Sequence, residues 1–304
     1  MENRDRKKAT AEAELREIYK IVKSNQELSI SAGLYAIALN ASIQKTFEFI
    51  TLNNLSDHPE KHFLSLASLR GICEDYICLK YIGELSVSER DTVIQLLMIA
   101  EVAQTSEAQR EFFRKSNPGQ IVYSRSSKND DYEKARNGIE KILKVSLKKN
   151  SVLPSVWDMS KKVDLFDFYK FFYHGTSRFV HFSPRGLLRL GWGQDETKFN
   201  FSTGNFSVYY KEFAFFWGNW VLCLLLQLRQ SIFESSEELD NAINCYLGIL
   251  RDRGRWPELV TFEEMNIEPK ISLFEIANRF SNNEGFEQWE LDYMSLHFGF
   301  GPKD

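Results

Sequence analysis

The stretch 213–226, FAFFWGNWVLCLLL, decides the fold. Phe213, Phe216, Trp217, Trp220, Leu224 and Leu228 define one helical face, and Ala214, Phe215, Val221, Leu222, Cys223 and Leu225 extend that face almost all round. A helix apolar on every side belongs either in a membrane or in the middle of a core. This one is interrupted by Gly218 and Asn219 and falls short of the roughly 20 apolar residues that cross a bilayer. The reading is therefore a buried helix over 207–233 with Leu224 among its core positions, in a protein with no membrane segment. The rest of the chain must supply the helices that cover it.

Helical periodicity does recur on both sides. Residues 3–26 read as a charged helix with the narrow stripe Leu15, Ile18, Tyr19 and Val22, and 29–52 as a strongly apolar one. Asp57 and Pro59 have the chemistry of an N-cap and a first-turn proline, opening a helix to about Leu85. Ser86 with Glu89 is a capping-box pattern for a helix over 87–115. SNPGQIVYSRSSKNDD (116–131) is a loop, followed by a charged helix at 131–149 ended by Asn150 and Pro154. An aromatic helix at 163–182 stops before Pro184, and further helices are expected at 236–252, 257–265 and 271–280. GWGQDETKFNFSTGNF (191–206) lacks helical period, which predicts an extended loop or small hairpin. The fold class is all-α: a multi-helix bundle with 1–26 as an appended helix and 27–304 as one helical domain.

Composition limits function more than it defines it. Of 304 residues 43% are hydrophobic and 26% charged, which suits a folded globular chain. The 38 Lys+Arg against 42 Asp+Glu give a net charge of -4, which excludes a wholly basic surface while leaving room for a local basic groove. Seven prolines and 16 glycines are too few breakers for a β-sandwich or barrel of this size. Cys73, Cys78, Cys223 and Cys245 lie in apolar helical stretches without a C-x-x-C pair, and no secretory signal follows the charged start. Four reduced core cysteines in a cytoplasmic protein are expected.

Two helices carry polar side chains beside apolar stripes. In SLASLRGICEDYICLKYI, Leu66, Leu69, Cys73 and Ile77 form the stripe, with Arg70, Glu74 and Tyr81 along one edge. An Arg and a Glu at i,i+4 in that position need partners, either as an internal ion pair or as the lining of a polar cavity. In DFYKFFYHGTSRFVHFSPRG, Tyr173, Ser177 and His181 follow at i, i+4 and i+8 on the seam of an aromatic face, with Arg178 nearby. His181 is a candidate general acid or base. Polar edges cannot be buried against hydrocarbon, so the two helices are expected to pack together. That contact would bring Arg70 and Glu74 to Tyr173, Ser177 and His181.

The helix RGICEDYICLKYI, the element YHGTSRFVH and the segment RWPELVTFEEMN together resemble an uncharacterised bacterial helical family known as a domain of unknown function. The resemblance covers about 30–270 and implies that Arg70, Glu74, Tyr173, Ser177 and His181 match the family's polar positions. A more distant similarity is to the HEPN superfamily, which includes metal-independent ribonucleases of toxin and phage-defence systems. These use an Arg and a His with four to six residues between them near a helix end. Here Arg178 and His181 have two residues between them, so a ribonuclease would need His181 with Arg70 or Arg178 in a different arrangement.

Other chemistry is sparsely marked. His58 and His62 have i,i+4 ligand spacing without an H-E-x-x-H motif and read as an exposed first turn, so no metal is expected. There is no P-loop, G-x-G-x-x-G or G-x-S-x-G, hence no nucleotide motif, and no cofactor is expected. Arg251, Arg253 and Arg255 with Trp256 make a basic-aromatic patch suited to nucleic acid, or simply solvated helix-end arginines. Two functions follow as expectations. One is an interaction or effector module, in a phage-defence or mobile-element system, with a protein partner or a second copy. The other is a HEPN-like ribonuclease acting on RNA.

Overall fold

A computed structural model describes residues 2–24, 27, 29–55, 58–122, 130–190, 201–230, 236–253 and 255–259. The chain divides into two compact units, Met1–Pro257 and Glu258–Asp304, and the helices described below belong to the first. They are α1 (Glu2–Ser24), α2 (Leu34–Leu55), α3 (Glu60–Gly83), α4 (Val87–Ser116), α5 (Asp130–Leu143), α6 (Val156–Lys162), α7 (Phe166–Val180), α8 (Pro184–Leu190), α9 (Ser207–Gln230) and α10 (Glu237–Arg251). A single 3-10 turn, Ile30–Ala32, precedes α2, and no strand occurs among the described residues. The fold is all-α, as the periodicity predicts.

Helix α9 is the centre. It packs on α2, α3 and α10, and Phe213, Ala214, Val221, Leu222 and Leu225 are completely buried. Leu224, expected at the packed centre, is instead only half-buried, and so is Leu228. The helix is covered on most of its circumference, and those two positions are among the partly exposed ones. The two residues that interrupt its apolar run have clear roles. A Cβ at Gly218 would lie 2.9 Å from Ile50 Cγ1 and 3.2 Å from Phe49 Cε1, so the glycine lets α2 and α9 approach closely. Asn219, fully buried, accepts from the Tyr19 hydroxyl at 2.8 Å and donates to Phe215 O at 2.8 Å.

That Tyr19 bond ties α1 to the body. Ile18 and Val22 are buried, and α1 packs on α10 and α2. The narrow stripe of this charged helix is enough to seat it. The division between the two compact units falls at Pro257/Glu258.

Local signals explain most helix ends. The Ser86 backbone N–H and hydroxyl both donate to Glu89, at 3.2 and 2.6 Å, opening α4 as its capping box requires. At α2, Gly33 has φ +91 and the Tyr35 N–H donates to Asp91 Oδ1 at 2.8 Å, so a carboxylate from α4 caps the α2 N-terminus. Helix α3 starts at Glu60 after Pro59, while Asp57 lies outside the described residues.

Two expected helices are shorter than their patterns. The 131–149 helix stops at Leu143, because Lys144 turns left-handed at φ 54. The 163–182 helix begins only at Phe166: Asp164 at φ 56 separates it from the unanticipated α6. Ser155 caps α6, accepting from the Asp158 N–H at 3.2 Å. Pro184 opens the short α8, also unanticipated. Of the expected loop at 191–206, residues 201–206 form a coil and turn without strand pairing, and 191–200 lie outside the described residues. The expected 257–265 helix is non-helical at 257–259, and the rest of it, with 271–280, lies outside.

Candidate functional site

The polar edges of α3 and α7 do meet. Arg70 Nε donates to Glu74 Oε1 at 2.9 Å, and one terminal nitrogen reaches Ser177 Oγ at 3.4 Å. The guanidinium carbon sits 4.8 Å from the centre of the Tyr173 ring. Tyr173 thus contributes the π face of its ring to the guanidinium. The Ser177 hydroxyl donates back to Tyr173 O, the usual i−4 bond of a helical serine. The two charged side chains are 15% and 30% exposed, so the pair is screened from solvent without being sealed off.

Beneath this group lies an apolar cluster of Ile77, Met159, Val163 and Tyr169, with Tyr81 and Tyr173 packed against it. The Tyr169 phenol is held above its ordinary pKa, first by burial, then by Glu74 and Tyr173, with Arg70 opposing. Arg70 therefore rests on the Tyr173 ring, and Glu74 acts electrostatically on the Tyr169 phenol. At the next level of α3 and α7, Phe63 meets Phe179 with centroids 5.0 Å apart, and both meet Tyr210 of α9 at 5.6 Å.

His181 does not join the group. Helix α7 ends at Val180, and His181 is its C-cap with extended backbone (φ -114, ψ 160). The i+8 extrapolation fails because the chain leaves the helix before completing that turn, ahead of a proline that disfavours continued helix. The backbone N–H of His181 donates to Ser177 O at 2.9 Å, while its side chain is exposed. No hydrogen bond or ion pair joins its ring to Arg70 or Glu74 among the described residues. Arg178 is half-buried, with its guanidinium 5.4 Å from the Phe179 ring.

Arg251, Arg253 and Trp256 gather at the end of α10. Trp256 packs on Trp220, Trp217 and Phe216 with centroids 5.1, 5.7 and 6.2 Å away, and donates its indole N–H to Leu250 O at 3.1 Å. Arg251 lies over Trp220 and Arg253 over Phe216, while Arg253 pairs with Glu212. Arg255 is exposed. Much of this patch covers the core: Trp256 closes the aromatic cluster, and Glu212 takes one of the cations.

One polar group was missed by sequence reasoning. His62 is buried, not in an exposed turn, and its Nδ1 lies 3.3 Å from Asn53 Oδ1. Ser65 Oγ donates to the same Asn53 oxygen at 2.7 Å, and Asn53 Nδ2 donates to Phe49 O at 2.8 Å. Burial first, and Lys211 second, hold the His62 imidazole below its ordinary pKa. The signal was present: 62, 66, 69 and 73 continue the apolar stripe of α3 by one turn. His58 is exposed and precedes the helix, so it does not share a helical face with His62. No group of three or more metal-ligating side chains occurs among the described residues. The four cysteines are free; Cys73 and Cys223 are buried, Cys78 is half-buried, and Cys245 is exposed rather than in the core.

Beside the Asn53–His62–Ser65 group, α2 and α3 frame an open groove of about 970 Å³. Phe49, Leu52, Leu64 and Ile72 contribute its apolar walls, and Lys45, Glu48 and Lys61 are among its polar lining. Leu52 and Leu64 are 52% and 63% exposed, unusual for leucines this close together.

These features define an all-α protein whose central polar cluster is satisfied internally and whose α2–α3 groove is walled largely by apolar side chains. The chain belongs to DUF5677, a family of unknown function that matches residues 47–199. The match runs from the second half of α2 through α8, so it contains the Arg70 group, His181 and the lining of the α2–α3 groove apart from Lys45. No curated protein and no solved structure matches the chain. No described helix is long and apolar enough to cross a membrane.

Proposed function

We propose that this protein is a helical interaction module that docks a protein partner in the α2–α3 groove, and that Arg70, Glu74, Tyr173 and Ser177 serve as a clamp between α3 and α7. The observation carrying this reading is the exposed pair Leu52 and Leu64 on an apolar groove of about 970 Å³. Grooves between two helices receive the apolar face of an amphipathic helix in many complexes. Four free cysteines fit a reducing compartment, and we place the protein in the cytoplasm.

The alternative is a metal-independent ribonuclease using His181 with Arg70 or Arg178. It asks Arg70 to stabilise phosphate charge while its Nε is bonded to Glu74 and its guanidinium lies on Tyr173. It also asks His181 to cooperate with a group to which its ring is not bonded. The geometry favours the module.

A photo-crosslinking amino acid at position 64, compared with one at exposed Lys141 on α5, tests docking in the native host. A discrete adduct at 64, absent at 141 and lost in Leu52→Glu, is the expected result. Identical adduct patterns at both positions, or an adduct indifferent to Leu52→Glu, would refute the groove as the docking site.

A further inference from the structure

The segment 144–155 between α5 and α6 has no regular secondary structure, yet it is held firmly. Arg136 donates to Leu147 O at 2.8 Å while Glu140 accepts from the Leu147 N–H at 2.7 Å, so a paired Arg and Glu grip both sides of one peptide residue. Ser151 Oγ donates to Leu153 O at 2.5 Å. Lys144 and Asn150 stand in the left-handed region at φ 54 and 66. Non-glycine residues kept there are costly and concentrate where a loop is shaped for a ligand. Rigidly supported loops are also where binding residues tend to lie.

This loop closes over a cavity of about 260 Å³ against Tyr81 of α3 and Met159 of α6. Its walls are chiefly apolar, including Leu147, Leu153 and Pro154, and Lys148 and Lys162 also line it. Neither lysine makes a hydrogen bond or ion pair among the described residues, and the Tyr81 hydroxyl likewise makes no hydrogen bond there. Asp158, the acidic group on the lining, accepts a hydrogen bond from Ser155 Oγ at 2.6 Å. The lining thus carries two cations against one carboxylate, an apolar floor and a phenol without a hydrogen bond among the described residues, with Glu84 acting on that phenol from outside the lining.

The geometry points to a binding site for a small anion with a flat apolar or aromatic body, its charged headgroup held by Lys148 and Lys162 and its body lying against Tyr81 and Leu153. The volume suits a ligand of about a dozen heavy atoms, at the small end of ligand pockets. This site is separate from the α2–α3 groove and does not depend on what docks there.

Titration of the full chain with phenyl phosphate, followed by amide NMR, tests it, with benzyl alcohol and inorganic phosphate as ligands that have only the body or only the charge. Saturable shifts at 145–155, with phenyl phosphate binding about tenfold or more tighter than either half-ligand, are expected. The Lys148→Ala/Lys162→Ala double variant should lose about tenfold or more of that affinity, while Lys149→Ala, next to the loop lining but outside it, should not. Both changes are on exposed side chains, so an unchanged amide spectrum elsewhere confirms the fold. Non-saturable shifts, equal affinity in the double variant, or inorganic phosphate binding as tightly as phenyl phosphate would overturn the site.

Discussion

At the residue scale, the Arg70–Glu74 pair shows how partial exposure sets a magnitude. Removing one partner of a sealed ion pair costs about 3–5 kcal/mol. Here the side chains are 15% and 30% exposed, and Arg70 keeps Ser177 and the Tyr173 ring. Glu74→Ala is therefore expected to cost only about 1–3 kcal/mol, the worth of a hydrogen bond to a charged group. A urea unfolding midpoint gives the number, and no change would mean that the pair contributes nothing to the α3–α7 contact. His62 makes a separate prediction. Its folded pKa lies below the ordinary 6.5, so the unfolded chain binds the proton more readily. Its contribution is complete above about pH 6.5 and is lost as pH falls towards the folded value. Urea midpoints should fall between pH 7 and 5, and fall less steeply in His62→Gln. An identical slope in the variant would show that His62 is not the group responsible. Of the candidate residues, Arg70, Glu74, Tyr173 and Ser177 could be placed together from helical spacing within each helix and from the need of two polar edges for polar partners. His181 could not, because spacing assumes a helix that in fact ends one residue earlier.

At the element scale, α9 was readable as the core and its register was not. Apolar residues all round leave periodicity without a direction, so Leu224 and Leu225 look equivalent in sequence. Only the neighbours distinguish them: Leu225 is fully buried and Leu224 half-buried. Leu225→Ala should cost about 2–5 kcal/mol and Leu224→Ala clearly less, as measured by chemical denaturation. Equal losses would mean that α9 is covered evenly. Gly218→Ala gains about 1 kcal/mol of helix propensity but must push Ile50 and Phe49 away from a 2.9–3.2 Å approach. Overpacking of that kind costs about 1–3 kcal/mol. A net loss of thermal stability is expected, and a gain would show that α2 can move aside without cost. The breaks after Leu143 and at Asp164 were invisible for a related reason. Both depend on left-handed residues, Lys144 and Asp164, that are not glycine and carry no breaker signature.

At the scale of the whole molecule, the helical class follows from a period repeated along most of the chain, and it survived local errors of boundary. Which concavity matters did not follow, because the α2–α3 groove and the 144–155 cavity are made by helices and loops that meet only in three dimensions. The account gives the polar clamp a structural role and places function on docking. Total RNA profiles from bacterial cells expressing the wild-type chain, Arg70→Ala and His181→Ala test this division most directly. Ribosomal RNA should remain intact in all three cultures; RNA degraded by the wild-type chain and spared by His181→Ala would contradict it.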